Sequence, residues 1–168
     1  ELSASLEIPQ SDEVGVLAHT LEEMKAKIQA VLRETEGLTQ AAQQGKLEVR
    51  GNAAAFAGGW QELIVGINRL IDAFVGPINV TADFIDQLSK STIPEEITGE
   101  YHGDFNKIKL NLNLLRKDIQ GVLQEILGLS QAIQQGNVKM RGNLEAFGGG
   151  WQELVRGVNA VIDAFVNP

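Results

Sequence analysis

FNKIKLNLNLLRKDIQGVLQEILGLSQAI, residues 105–133, places an apolar side chain at Phe105, Ile108, Leu112, Leu115, Ile119, Val122, Ile126, Leu129 and Ile133. The steps alternate between three and four residues, with no polar exception. A 3.5-residue period sustained this long keeps one seam of a helix turned toward a partner helix, which is the mark of a coiled coil. The same template runs from Val14 to Ala42, from Trp60 to Leu88 and from Trp151 to Phe165. Its only polar members are Thr35 and Thr81, positions where a layer is weakened or made easier to repack. The spacing predicts an all-α chain with helices at roughly 13–44, 59–90, 104–135 and 150–168.

The four seams begin at Val14, Trp60, Phe105 and Trp151, which lie 46, 45 and 46 residues apart. Alternate copies resemble each other most. AFAGGWQELIVGINRLIDAFVGP at 55–77 returns 91 residues later as AFGGGWQELVRGVNAVIDAFVNP at 146–168. Self-similarity at a fixed period is the signature of a stacked array, here with a rhythm of two repeats.

Connector length decides the topology. Antiparallel helices need only a short turn, whereas about 14 residues separate each predicted helix from the next. That many extended residues reach roughly 45 Å, against about 24 Å for a 16-residue helix. Such a connector climbs back along one helix and starts the next in parallel. Two parallel helices with one seam each leave a core open, and a parallel homodimer closes it with four helices per layer. The expected architecture is therefore a tandem stack of parallel homodimeric four-helix coiled-coil bundles. A monomeric antiparallel bundle of the spectrin type is the distant alternative.

Composition narrows the function. The 168 residues carry a net charge of −8, which argues against nucleic acid, whose binding rests on Lys and Arg, and against a basic membrane-surface helix. No cysteine is present, so disulfides and thiolate metal sites are excluded. The sequence lacks the run of about 18 apolar residues expected of a membrane span. It begins without Met or a signal peptide and reads as a piece of something longer. His19 falls on an exposed helix face and His102 in a loop, which suits solvated roles. Gly58-Gly59-Trp60 and Gly148-Gly149-Gly150-Trp151 lack the following Lys and Ser/Thr of a phosphate-binding loop. Gln43-Gln44 and Gln134-Gln135 read as polar surface. No enzymatic activity, cofactor, metal or small-molecule substrate is expected.

The residues carry a family resemblance. SDEVGVLAHTLEEM at 11–24 resembles the second half of a HAMP domain, with that family's Asp-Glu-x-Gly signature at Asp12, Glu13 and Gly15. The stretch from Gly76 to Leu115 resembles the divergent HAMP units found in tandem in bacterial chemoreceptors and sensor histidine kinases. Pro77 stands where the family places a proline at the start of its first helix, and Gly45 and Gly136 where it ends that helix with glycine. The resemblance implies a half unit at 1–30 and units at 31–76, 77–121 and 122–168, the last including the start of another. It also implies a parallel homodimer that relays conformational signals between adjoining sensor and output domains. The setting would be the cytoplasmic portion of a membrane-anchored bacterial receptor in chemotaxis or two-component signalling. A passive dimerisation spacer is the alternative function.

The repeats depart from one pattern. Glu13 aligns with Asp104, which precedes Phe105, but with Gly59 and Gly150, which precede Trp60 and Trp151. Ser91 stands where Gly45 and Gly136 stand in the other copies, and Val31 and Val122 replace the proline. Two kinds of repeat, packed differently, are expected to alternate along the chain.

Overall fold

The computed structural model describes residues 13–166. Asp12 and Pro168 lie outside the described residues, as does the beginning of the 1–30 segment. Four helices follow in order: α1 Glu13–Gln43, α2 Gly59–Ser89, α3 Gly103–Gln134 and α4 Gly149–Val166. Their bounds lie close to those set by the apolar spacing. The first and third connectors also contain short 3-10 turns at Ala53–Ala55 and Leu144–Ala146, which periodicity does not reveal.

The first three helices end alike. The amide of Lys46 donates to Ala41 O (2.9 Å) and that of Gly45 to Ala42 O (3.0 Å). Thr92 and Ser91 repeat this pair on Gln87 and Leu88, and Asn137 and Gly136 repeat it on Ala132 and Ile133. This is the Schellman motif, whose C′ residue must be left-handed. Gly45 and Gly136 meet the demand at φ +73° and +82°, and Ser91 is held at +57°. A side chain in that region costs about 1–2 kcal/mol, partly offset by the greater unfolded-state freedom of glycine. Ser91→Gly is therefore expected to stabilise the fold by about 0.5–1 kcal/mol, read as a raised denaturation midpoint. A lowered midpoint would contradict the strain at this position.

The chain divides into two compact units, residues 1–78 and 79–168. In the first, Phe56 and Trp60 line one recess with Glu23, Ala26 and Ala30 of α1. Further along, Gly51 lies against both Leu38 of α1 and Ile64 of α2. Advancing residues of α1 thus meet advancing residues of α2, so the two helices run parallel while the connector returns between them. In the second unit, Phe147 packs against Gly121, and Gly142 lies against Leu129 and Val155. α3 and α4 are parallel by the same argument.

The buried core is small. Val31, Leu38 and Ile64 are buried in the first unit, and Phe84, Val122, Leu129, Val155 and Ile162 in the second. Ile64, Val155 and Ile162 stand beside the predicted seam. The seam neighbours Leu63, Leu154 and Val161 are exposed in the single chain. Helices α2 and α4 therefore carry two apolar faces, one for the connector and one for the seam. Thr35, the polar seam member, donates its hydroxyl to Val31 O at 2.8 Å, a local bond that removes the cost of an unpaired group.

α2 is long and apolar enough to cross a membrane by length and composition, with a mean hydropathy of 1.4 over 18 residues. No unbroken apolar run marks it, because Asn68, Arg69, Asp72 and Asn79 interrupt the stretch. Arg69 and Asp72 nonetheless stand within α2, and a charged residue at a bilayer centre costs about 2.5–3.5 kcal/mol. Asp72 is paired with the connector, as described below. The apolar character of α2 fits its two packing faces.

Candidate functional site

Each connector is fastened by a side-chain amide. Asn68 Oδ1 accepts the amide of Gly51 (2.8 Å), and its Nδ2 donates to Gly51 O (2.9 Å). Asn159 holds Gly142 in the same way (2.7 and 3.0 Å). Asn113 does so for Ile97 (2.9 and 3.0 Å). A carboxamide presents one acceptor and a donor pair side by side, so it satisfies both backbone groups of one residue. The three asparagines lie 45 and 46 residues apart, one in each repeat.

Around this bond the first and third connectors are built identically. Arg50 donates to Asp72 from Nε (2.8 Å) and Nη2 (2.6 Å), while its Nη1 reaches Leu47 O and Val49 O. Arg141 makes the corresponding bonds to Asp163, Val138 O and Met140 O. Glu34 of α1 accepts the amide of Asn52 (2.6 Å), and Glu125 of α3 that of Asn143 (2.8 Å). Consecutive residues of the connector are thus tied to the helix after it and the helix before it. Both Arg–Asp pairs are partly exposed, so they orient the connector more than they stabilise it.

Close approach requires glycine at the centre of the clamp. A Cβ on Gly51 would stand 2.8 Å from Ile64 Cγ2, and one on Gly142 2.6 Å from Val155 Cγ1. Both lie below any real Cβ contact.

The second connector is built differently. Ile97 replaces the glycine, Val80 stands at the position of Glu34 and Glu125, and Glu96 and Lys117 occupy the places of Arg and Asp with the signs exchanged. Further anchors come from α3. Arg116 Nε donates to Pro94 O (2.6 Å) and Lys109 Nζ to Gly99 O (3.1 Å). Pro94 is buried.

Apart from Pro77, the residues marked by the family pattern sit at helix starts and ends. Glu13 opens α1 and Asp104 lies in the first turn of α3, where it pairs with Lys107 at 2.7 Å. An acid there suits the helix dipole. Gly15 lies in the first turns of α1 and Phe105 in the first turn of α3, both half-buried. Trp60 and Trp151 stand at the starts of α2 and α4, preceded by the left-handed Gly58 and Gly149. Pro77 lies inside α2, which continues through it. These residues delimit repeats and do not converge on one cluster. His19 lies 3.3 Å from Glu23 on an exposed face. Among the described residues, no group of three or more acidic or histidine side chains could hold a metal. The Asn, Arg, Glu and Asp of the clamp were missed by reasoning from apolar spacing, although the asparagines recur at the period of the seams and the others after 91 residues.

Residues 55–121 match the family model of the HAMP domain. The matched stretch runs from the end of the first connector through α2, the second connector and the first half of α3. HAMP domains are signal-relay linkers of bacterial receptors and are not catalytic domains. The all-helical described structure is consistent with that family. No solved structure matches the chain.

Proposed function

We propose that the chain is a tandem array of HAMP repeats that relays conformational signals as a parallel homodimer between a sensor and an output domain. The array extends on both sides of the matched segment, at about 31–76, 77–121 and 122–168, with half a unit before it. A membrane-anchored chemoreceptor or sensor histidine kinase is the fitting host, with the array on its cytoplasmic side.

The observation that carries this reading is the apolar seam left uncovered in the single chain. Leu17, Leu21, Met24, Leu63, Leu70, Phe74, Ile108, Leu115, Leu154, Val161 and Phe165 are all exposed, Leu70 at 59% and Phe165 at 83%. Exposed apolar side chains that recur in this way in each unit mark an interaction site, and their 3.5-residue period fits an identical helix pair in register. In-chain packing of parallel helices against a connector supplies half of each four-helix layer.

Sedimentation equilibrium checks this directly. One chain is 18.2 kDa, so a dimer is about 36 kDa. A persistent 18.2 kDa species at micromolar concentration would overturn the array. Cysteines placed singly at Leu112 are expected to cross-link between chains, as a parallel in-register dimer requires.

A further inference from the structure

We propose that the middle repeat is the compliant joint of the relay, because its connector rides on α3, whereas the flanking connectors bind both of their helices. In the first repeat, Arg50 and Gly51 are bonded to α2 and Asn52 to α1. Neighbouring Cα atoms are about 3.8 Å apart, so little slack lies between these anchors. A shear of about 1–2 Å between packed helices would strain either the 2.6 Å Glu34–Asn52 bond or the Asn68–Gly51 pair toward the limit of a hydrogen bond. The third repeat has the same three-residue bridge between α3 and α4 through Glu125, Asn143, Gly142 and Asn159.

In the middle repeat, the anchors Lys109, Asn113 and Arg116 all belong to α3. The position on α2 that would supply the carboxylate is Val80, whose side chain cannot accept a hydrogen bond. Shear of the end of α2 against α3 therefore leaves all four of these hydrogen bonds intact. Displacement between two packings is concentrated where the connector resists it least.

Spin-label distance distributions test this in the full chain, with labelled chains diluted into unlabelled ones. The pairs are 36–69 across α1 and α2 and 82–114 across α2 and α3, equivalent sites that are all exposed. The 82–114 distribution is expected to be about twofold broader, as shear in one repeat and a bridge in the other require. Val80→Glu should narrow it by supplying an acceptor for the amide of Thr98, and Glu34→Ala should broaden 36–69. Equal widths in the unaltered chain would overturn the proposal, as would a Glu34→Ala chain whose 36–69 width is unchanged. If Val80→Glu does not fold, these two comparisons still decide. The proposal rests on the relay reading for its use. A monomer in sedimentation sinks that reading, whereas the widths judge the joint in either assembly state.

Discussion

Gly142→Ala is expected to lower stability by about 1–3 kcal/mol, read from the denaturant midpoint. A Cβ there would stand 2.6 Å from Val155 Cγ1 and 3.2 Å from Leu129 Cδ1, and both of those residues are buried. Overpacking of this kind costs about 1–3 kcal/mol. If the connector lifts away instead, it gives up the two hydrogen bonds to Asn159, each worth about 0.5–1.5 kcal/mol net. Gly150→Ala is the control. It lies in the first turn of α4 with open space around its Cβ position, so its effect should stay within about 0.5 kcal/mol. Similar midpoints for the two variants would show that the connector does not pack as described.

Leu112→Ala is expected to cost about 2–5 kcal/mol in the dimer, the range for truncating a buried leucine. Leu112 lies on the seam of α3 and is half-buried in the single chain, so the predicted partner must complete its burial. Leu114, two residues on, points away from the seam and is 56% exposed. Leu114→Ala should cost less than about 1 kcal/mol. The Leu112→Ala penalty should also appear as weaker association at low protein concentration, since unfolding and dissociation are linked. Equal penalties would place the dimer contact on another face of the helix.

The helices were legible because apolar periodicity and helix geometry are the same physical fact. Phe105 to Ile133 can be read as one amphipathic surface without knowing what it meets, and α3 has the bounds this implies. The parallel in-chain arrangement was legible from connector length alone. The clamp was not, because polar residues at surface positions carry no periodic signal by themselves. Asn68 gains its role only when Gly51, 17 residues earlier, is brought against it. A signal did exist: Asn68, Asn113 and Asn159 recur at the period of the seams, and Glu34, Arg50 and Asp72 recur 91 residues on as Glu125, Arg141 and Asp163. The second apolar face, at Ile64 and Val155, was hidden for a related reason. Each residue sits beside a seam leucine, so one apolar stripe absorbed what are two. The alternation expected from Trp60 and Asp104 at helix starts has a counterpart in the connectors, where Val80 and Ile97 replace Glu34 and Gly51.

The exchanged charges at the clamp set the increments by which such a chain can change length. Suppose a deletion joined Gly58 directly to Asp104, removing 45 residues and passing the first connector straight into α3. Arg50 would then face Lys117 where it now meets Asp72, like charge against like. Removing 91 residues instead, from a site in the first repeat to its echo in the third, would return Arg50 to Asp163 and Gly51 to Asn159. Shortening by one repeat breaks the connector code, and shortening by two preserves it. The genetic quantum of this molecule is therefore the pair, and relatives built on the same clamp should differ in length by multiples of about 91 residues.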